Sequence, residues 1–292
     1  MERWLITGAG GFIGRDLVRR FARAAEIVAT CRTDGAGAGS QSLDVTDMAR
    51  VRAVFAAHEP TVVVHLAAMK DVHACERQVE ETVRVNVLGT RNIVEMCAAY
   101  GAFLVYVSSD YVFKGDRGGY RDGDAREATT VYGASKKLSE DLILERDVDA
   151  AICRTGGVYG APGPRRNLVA WVLDTLRKGE QIAAYADVFN TPTLLDDLGE
   201  AIRLVIRERL RGAVQVAGAD RVNRHEFLSG MAAALGFGEH LVAASECDDP
   251  VIPRDLSMVS SPRVLELGLS PCGVSAGLQR LRRALEANGD RR

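Results

Sequence analysis

The first half of the chain alternates between short apolar runs and longer segments in which apolar residues recur with a helical period. Runs rich in Val, Ile and Leu predict buried strands, and apolar residues three or four positions apart predict amphipathic helices. The predicted strands are Arg3–Thr7, Glu26–Cys31, Thr61–Leu66, Phe103–Ser108 and Ala150–Arg154. The predicted helices are Phe12–Ala24, Asp47–Ala57 with Thr46 as its N-cap, Glu80–Tyr100 closed by Gly101, and Val131–Arg146. Continuous apolar strands separated by helices indicate a parallel sheet covered on both faces.

The pattern loosens after about Thr155, and a Pro/Gly turn at Ala161–Pro164 is the expected seam between domains. The elements predicted beyond it are helices at Leu168–Lys178, Leu195–Leu210, Asn223–Leu235 with Asn223 as the cap, and Val274–Ala287, and a strand at Ala213–Val216. We therefore predict an α/β protein with a doubly wound parallel sheet, the Rossmann arrangement, in a dinucleotide-binding domain over residues 1–160. A smaller substrate-binding lobe over residues 161–292 is partly interleaved with it.

Composition places the chain among ordinary globular proteins. It has 292 residues, of which 47% are hydrophobic and 26% charged, and that length is enough to bury a core without disulfides. The net charge of −2 argues against a nucleic-acid partner. The six cysteines form no CxxC pair, and for the four that lie inside apolar runs we expect buried free thiols. The start MERWLITGAG has no apolar leader, and the apolar run at Thr61–Met69 is shorter than the ~20 residues that span a bilayer. We expect a cytoplasmic protein with no membrane partner.

The clearest chemical motif is the segment from Thr7 to Gly14, which reads TGAGGFIG and lies between the first strand and the first helix. Glycines at Gly8, Gly11 and Gly14 allow a tight turn, a close approach of backbone to a diphosphate, and close packing of helix on strand. The amide groups at the start of the helix would then face the phosphates. The position directly after a strand makes this pattern a predictor of dinucleotide binding.

Two further motifs suggest acid–base chemistry. Tyr132 and Lys136 are four positions apart near the start of a predicted helix, so they share one face. An ammonium near a phenol lowers the pKa of the phenol, which suits a general acid or base. Ser109 follows a buried strand, at the sheet edge where open α/β sheets bind ligands. None of the five histidines has metal-ligand spacing, and His65, inside a strand, is expected to be a packed core residue.

Together these motifs resemble the extended short-chain dehydrogenase/reductases over nearly the whole chain. Within them, the similarity is greatest to the nucleotide-sugar 4-ketoreductases typified by dTDP-4-dehydrorhamnose reductase. The matching stretches are Leu66–Ala68, Asn86–Thr90, Ser108–Phe113, Val131–Lys136, Arg154–Thr155, Val158–Gly160, Thr191–Thr193 and Asp197–Leu198. Related dehydratases carry an Asp-Glu pair after the catalytic hydroxyl, whereas Tyr111 follows Asp110 here, which speaks against dehydration.

The resemblance implies a role for several residues. Tyr132 would protonate a substrate ketone, Lys136 would hold the nicotinamide ribose and lower the pKa of Tyr132, and Ser109 would hydrogen-bond the same ketone oxygen. It also implies a nucleotide-sugar substrate, and a homodimer is compatible with it. The residues assigned to the cofactor are Gly8, Gly11, Phe12, Ile13, Gly14, Arg32, Asp44, Val45, Leu66, Ala67, Ala68, Tyr132 and Lys136.

Substrate contacts and cofactor choice follow from less specific signals. Asn167 falls where the family contacts sugar nucleotides, and Arg254, in a Pro-Arg-Asp turn, is a candidate for a diphosphate. Arg32 ends the second strand, and no Asp or Glu occupies 29–33. Since an acidic residue there selects NAD and an arginine accommodates a 2′-phosphate, we expect NADP(H) to be preferred, with NAD(H) left open.

Two departures and two alternatives remain at this point. The rhamnose reductases tend to have a tryptophan where this chain has Gly157, and a threonine where it has Ser109. One alternative is an NDP-sugar epimerase, which would keep its cofactor oxidised and bound. The other is a non-catalytic subunit that binds NADP, because the regulatory β subunit of methionine adenosyltransferase shares much of the same pattern.

Overall fold

The computed structural model describes residues 2–32, 40–146, 148–161 and 167–287. The chain divides into two compact units. The first comprises Met1–Lys114, Asp122–Arg154 and Gly199–Val214, and the second comprises Gly115–Arg121, Thr155–Leu198 and Gln215–Arg292. Residues 162–164 of the expected seam lie outside the described residues.

The elements of the described residues are as follows. The strands are β1 (Arg3–Thr7), β2 (Glu26–Cys31), β3 (Gln41–Ser42), β4 (Val62–His65), β5 (Phe103–Ser109), β6 (Ala150–Thr155), β7 (Ile182–Tyr185), β8 (Phe189–Asn190), β9 (Gly212–Gln215), β10 (Val222–Asn223) and β11 (Val242–Ser245). The helices are α1 (Phe12–Phe21), α2 (Met48–His58), α3 (Val72–Arg77), α4 (Val79–Thr82), α5 (Gly89–Tyr100), α6 (Val131–Glu145), α7 (Leu168–Arg177), α8 (Leu195–Arg207), α9 (Arg224–Ala234), α10 (Pro262–Glu266) and α11 (Val274–Ala287).

The first unit is built on a seven-stranded sheet with the order β3-β2-β1-β4-β5-β6-β9. Strands β1 to β5 pair in parallel, with registers such as Leu5 opposite Val63 and Val63 opposite Leu104. These apolar side chains are fully buried, which explains why the strands show no polar alternation. The strand order reverses between β1 and β4, and ligands of open α/β sheets bind outside the carboxyl ends of the strands at such a point. The predicted fold class is confirmed.

Several helix boundaries differ from the prediction, among them the end of α1 and the N-cap of α2. Helix α1 ends at Phe21 rather than at residue 24, with Ala22 as its C-cap. Helix α2 is capped by Asp47, whose side chain accepts a hydrogen bond from the Arg50 amide, and not by Thr46. The reason is that the Thr46 hydroxyl donates to Asp44 Oδ1 over 2.8 Å and is turned away from the helix. Gly101 closes α5 in the left-handed conformation, as expected.

The helix predicted over Glu80–Tyr100 is interrupted. Helix α4 runs into a π-helix at Val83–Leu88, and α5 continues from it. Such π-helical turns are rare and are frequent at functional sites. Asn86 lies inside this turn, and its backbone carbonyl accepts hydrogen bonds from the hydroxyls of Thr90 and Ser139. The π-turn therefore anchors α5 and α6 to one another.

The second unit has a core of its own, formed by helices α7, α9 and α11 with the strand pair β7–β11. Val169, Val172 and Met231 are fully buried in it. Asn223 begins α9 with a capping box to Glu226, which confirms the predicted cap. The short strands β7, β8, β10 and β11 were not predicted from the sequence.

Two expectations about the whole chain can be compared with the described residues. All six cysteines are free and buried, which includes the four for which buried thiols were predicted. Within residues 2–32, 40–146, 148–161 and 167–287, no helix has the length and apolar character that crossing a bilayer requires.

Candidate active site

The turn after β1 has a geometry that requires glycine. Gly8 adopts a φ of +67°, and a Cβ on it would lie 2.8 Å from the Ala67 amide nitrogen. A Cβ on Gly14 would lie 2.5 Å from the Gly8 carbonyl oxygen and 2.7 Å from the Ala9 Cα. The Gly11 amide donates to the Gly8 carbonyl over 2.9 Å and closes the turn. A larger residue at position 8 would push the turn away from the segment after β4, and one at position 14 would push α1 away from the turn.

The start of α1 is suited to an anion. Gly11 is its N-cap in extended conformation, and within residues 2–32 no side chain caps the helix and no acidic residue lies in its first turn. The first amides of the helix, including those of Phe12 and Ile13, have no partner inside the helix because of their position. Together with the helix dipole, such amides attract a phosphate. The residues present therefore fit the diphosphate of a dinucleotide.

The buried side chain of His65 supports this turn through a hydrogen bond with Thr7. Thr7 Oγ1 lies 2.7 Å from His65 Nδ1 and accepts hydrogen bonds from the amides of Leu66 and Ala67. His65 Nε2 lies 3.1 Å from Thr90 Oγ1, whose own hydroxyl donates to the Asn86 carbonyl. This pattern assigns the Nε2–H tautomer, with Thr7 donating to Nδ1. Burial, aided by the charge of Lys136, lowers the pKa of His65 to about 3, so the ring is neutral.

Asp44, Val45 and Arg32 lie next to the short strand β3. Burial acts to raise the pKa of Asp44, but hydrogen bonds from Thr46 and the charges of Arg84 and Arg32 outweigh it and lower the pKa. Arg32 is exposed directly after β2, so its guanidinium is accessible at the sheet edge. Val45 is buried, and a Cβ on Gly89 would touch its Cγ2 at 2.7 Å. Leu66, Ala67 and Ala68 follow β4 and are half-buried.

Ser109 and Tyr132 are brought together by the close contact between the start of α6 and the turn after β5. Ser109 is the last residue of β5, and its hydroxyl donates to Asp110 Oδ1 over 2.8 Å. Thr130 caps α6 and accepts from the Gly133 amide over 3.0 Å. A Cβ on Gly133 would collide with the Tyr111 carbonyl, so only glycine allows this approach. The rings of Tyr111 and Tyr132 meet edge to face with centroids 5.6 Å apart.

Tyr132 is protonated at neutral pH. Burial raises its pKa, and the hydrogen-bonding influence of Ser109 opposes this only in part. The net direction is therefore the opposite of the lowering that we expected from the Lys136 ammonium, because burial outweighs the influences that favour the phenolate. Since a hydrogen bond with Ser109 acts to lower the pKa of Tyr132, the serine hydroxyl and the phenol lie within reach of one another. A neutral phenol next to a hydroxyl is a proton donor.

Lys136 lies under this pair and is 4% exposed. Its ammonium donates to the Val107 carbonyl over 2.7 Å and lies 4.1 Å from the centroid of the Tyr106 ring. Burial lowers its pKa to about 7, and the Glu140 carboxylate acts in the opposite direction. A lysine whose pKa is lowered to this extent changes its charge near neutral pH.

The two candidates in the second unit have structural partners. Asn167 caps α7, accepting from the Ala170 amide over 2.9 Å and donating to the Gly160 carbonyl over 3.2 Å. Arg254 donates to the Cys247 carbonyl and lies 3.5 Å from Asp187 Oδ2. Its side chain remains 47% exposed, so part of it is accessible to a ligand.

Sequence reasoning assigned no role to two buried polar residues near this site. Asn86 accepts from the Met69 amide over 2.7 Å and donates to the Met69 carbonyl and to Ser135, which fixes the segment after Ala68. Glu140 accepts a hydrogen bond from Ser108, next to Ser109. The available signal was position: Asn86 interrupts an apolar helical face, and Glu140 follows Lys136 by one turn.

Comparisons with known proteins agree with this geometry. The chain is 32% identical over 269 residues to a dTDP-4-dehydrorhamnose reductase from Mycobacterium tuberculosis, covering 90% of this chain and 81% of that one. It is 29% identical to methionine adenosyltransferase 2 subunit beta from Xenopus tropicalis, covering 86% and 77%. The solved structure of a dTDP-4-dehydrorhamnose reductase from Bacillus anthracis in complex with NADP superposes with a TM-score of 0.88 at 27% identity, covering 96% and 98%.

The resemblance inferred from the motifs is thus confirmed at the level of sequence and of fold. The pattern of the RmlD substrate binding domain matches residues 2–257, which is most of the chain. We conclude that the chain belongs to the RmlD substrate binding domain family.

Proposed function

We propose that the protein is an NADP(H)-dependent reductase of the keto group of an NDP-4-keto-6-deoxy sugar. The observation that carries this is the placement of a protonated Tyr132, the Ser109 hydroxyl and the buried Lys136 at the carboxyl end of β5. They share one compact unit with a glycine turn that fits a dinucleotide. Relatives named dTDP-4-dehydrorhamnose reductase support the same reaction.

The proposed chemistry is a ketone reduction. When bound, NADPH supplies a hydride to the carbonyl carbon and becomes NADP⁺. Tyr132 Oη donates its proton to the carbonyl oxygen, and the Ser109 hydroxyl hydrogen-bonds that oxygen as negative charge develops on it. Lys136, in its ammonium form, donates to the nicotinamide ribose and stabilises the phenolate that Tyr132 becomes. The product is an alcohol, and Tyr132 regains its proton from solvent.

The cofactor set assigned from the sequence is part of the proposal. Gly8, Gly11 and Gly14 with the amides of Phe12 and Ile13 would hold the diphosphate. Asp44 and Val45 would contact the adenine, and Leu66, Ala67 and Ala68 would line the dinucleotide. Arg32 would bind the 2′-phosphate and favour NADP(H), because a guanidinium is permanently charged and its donors are forked.

The remaining predictions belong to the same proposal. A nucleotide sugar is the substrate, with Asn167 and Arg254 as contacts in a substrate-binding lobe over residues 161–292. The proposed dinucleotide-binding domain covers residues 1–160, with which this lobe is partly interleaved. We place the enzyme in the cytoplasm. A homodimer is the assembly compatible with the family, and light scattering would measure it.

A second candidate function is favoured by one observation. The similarity to methionine adenosyltransferase 2 subunit beta spans 86% of this chain, so a regulatory subunit that binds NADP without turnover would match it too. An NDP-sugar epimerase is supported by fold alone, since the epimerases among the solved structures are under 25% identical.

One experiment separates the three functions. Purified protein is assayed for NADPH consumption with a panel of NDP-4-keto-6-deoxy sugars, and the cofactor it carries on purification is identified. A reductase consumes NADPH only when a keto sugar is present. An epimerase carries tightly bound NAD, and a regulatory subunit binds NADP but consumes nothing with any sugar.

A further inference from the structure

Glu140 is the most completely buried carboxylate near the candidate site, with an exposed fraction of 0%. Ser108 Oγ donates to its Oε1 over 2.5 Å. Arg154 donates from Nη2 to Oε2 over 2.7 Å and from Nε to Oε1 over 3.0 Å, and Arg126 Nη1 lies 3.1 Å from Oε2. A buried charge with this many partners is built into the fold, because an unpaired one would cost several kcal/mol.

Helix α6 is tied to β5 at two adjacent strand residues. The Lys136 ammonium donates to the Val107 carbonyl, and the next strand residue, Ser108, donates to Glu140, one helical turn beyond Lys136. The residue after Ser108 is Ser109, and the residue one turn before Lys136 is Tyr132. The two bonds therefore fix the height of α6 along β5, and with it the position of the phenol relative to the serine hydroxyl.

The same carboxylate acts on the charge of Lys136. Burial lowers the pKa of Lys136 to about 7, and Glu140 is the group that raises it. The ammonium also contacts the Tyr106 ring and the Val107 carbonyl of β5, and its charge acts on His65 of β4, which is neutral. Around Glu140 lie Arg154 of β6, Arg126 and Ser108. Glu140 thus supplies the negative charge that favours the ammonium.

We propose that Glu140 is a positioning residue of the active site: it sets the register of α6 against β5 and places a carboxylate one helical turn from the Lys136 amine. The consequence for catalysis rests on the proposed function, since it assumes that Tyr132 and Lys136 take part in reduction. The consequence for the charge of Lys136 does not depend on it. No other role has to be assumed for the two arginines, which pair with the buried carboxylate.

The charge can be measured directly. The chain has only five lysines, Lys70, Lys114, Lys136, Lys137 and Lys178, so the NMR signals of ¹³C-labelled lysine side chains can be followed in a pH titration of the full chain. A Lys136→Arg variant assigns the Lys136 signal. Glu140→Gln should lower the pKa of Lys136 by about one unit or more, because it removes an opposite charge and leaves Arg154 unpaired. An unchanged pKa in Glu140→Gln would overturn the proposal.

A second variant keeps the test decisive if Glu140→Gln does not fold. Arg126 is one-fifth exposed, so replacing it should be tolerated. Arg126→Gln removes a positive charge that competes for Glu140, and it should raise the pKa of Lys136. Asp141→Asn is the matched control, because Asp141 is the adjacent residue and also pairs with Arg126. A Lys136 pKa that stays unchanged in Arg126→Gln, or that falls in Asp141→Asn as far as in Glu140→Gln, would contradict a specific role of Glu140.

Activity measurements separate the effect of Glu140 on the register of α6 from its effect on the charge of Lys136. Ser108→Ala removes the strand bond to Glu140 but leaves its charge, so kcat should fall about tenfold or more, since a misplacement of about 1 Å can cost a hundredfold. KM for NADPH and the pKa of Lys136 should not change in this variant. In Glu140→Gln, the alkaline limb of the kcat profile should also move to lower pH. Unchanged kcat in Ser108→Ala would remove the register role. A wild type that reduces no sugar would defeat the proposed function, while the lysine titration would still report on Glu140.

Discussion

Thr7 Oγ1 and His65 Nδ1 lie 2.7 Å apart and join the ends of β1 and β4 below the glycine turn. The same threonine oxygen accepts from the amides of Leu66 and Ala67, and the far side of the imidazole donates to Thr90. The ring must stay neutral to accept from Thr7 at one nitrogen while donating at the other. The turn that would hold the diphosphate therefore depends on a histidine that cannot be protonated in place.

His65 should make the protein sensitive to acid. Its pKa is about 3 in the folded protein and 6.5 in its ordinary state, so between these values the unfolded chain binds a proton that the folded one does not. The free energy of unfolding should fall as pH decreases through this window, by up to about 1.4 kcal/mol per pH unit from this residue. Below about pH 3 this contribution has no further slope.

The measurement is urea unfolding between pH 4 and 7. His65→Asn should remove part of the slope of stability against pH, whatever its effect on the stability at pH 7. His73→Asn is the control, because that side chain is exposed. If wild type and His65→Asn show the same slope, the histidine is not held neutral by its surroundings.

Tyr132→Phe should reduce kcat by about 10²–10⁴-fold, the usual contribution of a general acid. The ring and its contact with Tyr111 are kept, so affinity for NADPH should be nearly unchanged. Stopped-flow kinetics and a fluorescence titration of NADPH check the two statements. Lys136→Ala is the comparison: it should lower kcat and also weaken NADPH binding. A Tyr132→Phe variant with wild-type turnover would remove Tyr132 from the mechanism.

Arg32→Ala should lower the preference for NADPH over NADH. Loss of a charge-assisted contact to the 2′-phosphate is worth about 1.5–3 kcal/mol, which corresponds to roughly ten- to a hundredfold in Kd for NADPH. NADH lacks this phosphate, so its Kd should change little. Arg91→Ala, an exposed arginine that pairs with Glu95 on α5, is the control. Equal affinity of the wild type for the two dinucleotides would show that Arg32 does not select the cofactor.

Gly157→Ala should destabilise the second unit. Gly157 adopts a φ of +54°, and a Cβ there would lie 2.9 Å from Asn190 Nδ2 and 3.3 Å from Pro192 Cα. The left-handed conformation alone costs a residue with a Cβ about 1–2 kcal/mol. Thermal unfolding checks this against Gly123→Ala, where φ is not positive and no atom of the described residues lies within 4 Å of the added carbon. Equal melting temperatures for the two variants would contradict it.

Much of the first unit could be predicted because its strands are continuous apolar runs bounded by turn residues. Strands β1 and β2 and helix α11 have the predicted bounds to the residue. Strands β8 and β10 are two residues long, which is too short for any period to be visible. Helix α3 has only six residues, which is too short for a helical period to be visible, so the sequence did not predict it.

The candidate site was predictable in its residue types and not in its contacts. Spacing places Lys136 on the same face as Tyr132, but the partner of its ammonium, the Val107 carbonyl, depends on how α6 packs on β5. Burial then reverses the expected direction of the Tyr132 pKa. Glutamate is normally a surface residue, so the sequence gives no sign that Glu140 is buried. Its burial follows from its tertiary partners, Arg154 and Ser108.

The central claim is that this chain transfers a hydride to the C4 carbonyl of a nucleotide-linked keto sugar. The most direct measurement uses NADPH in which both hydrogens at the nicotinamide C4 are deuterium, with an NDP-4-keto-6-deoxy sugar, and locates the label in the product by NMR. The account predicts one deuterium at C4 of the sugar, formed in step with NADP⁺, and nearly none with Tyr132→Phe. Product without deuterium, or sugars interconverted without net consumption of NADPH, would contradict it.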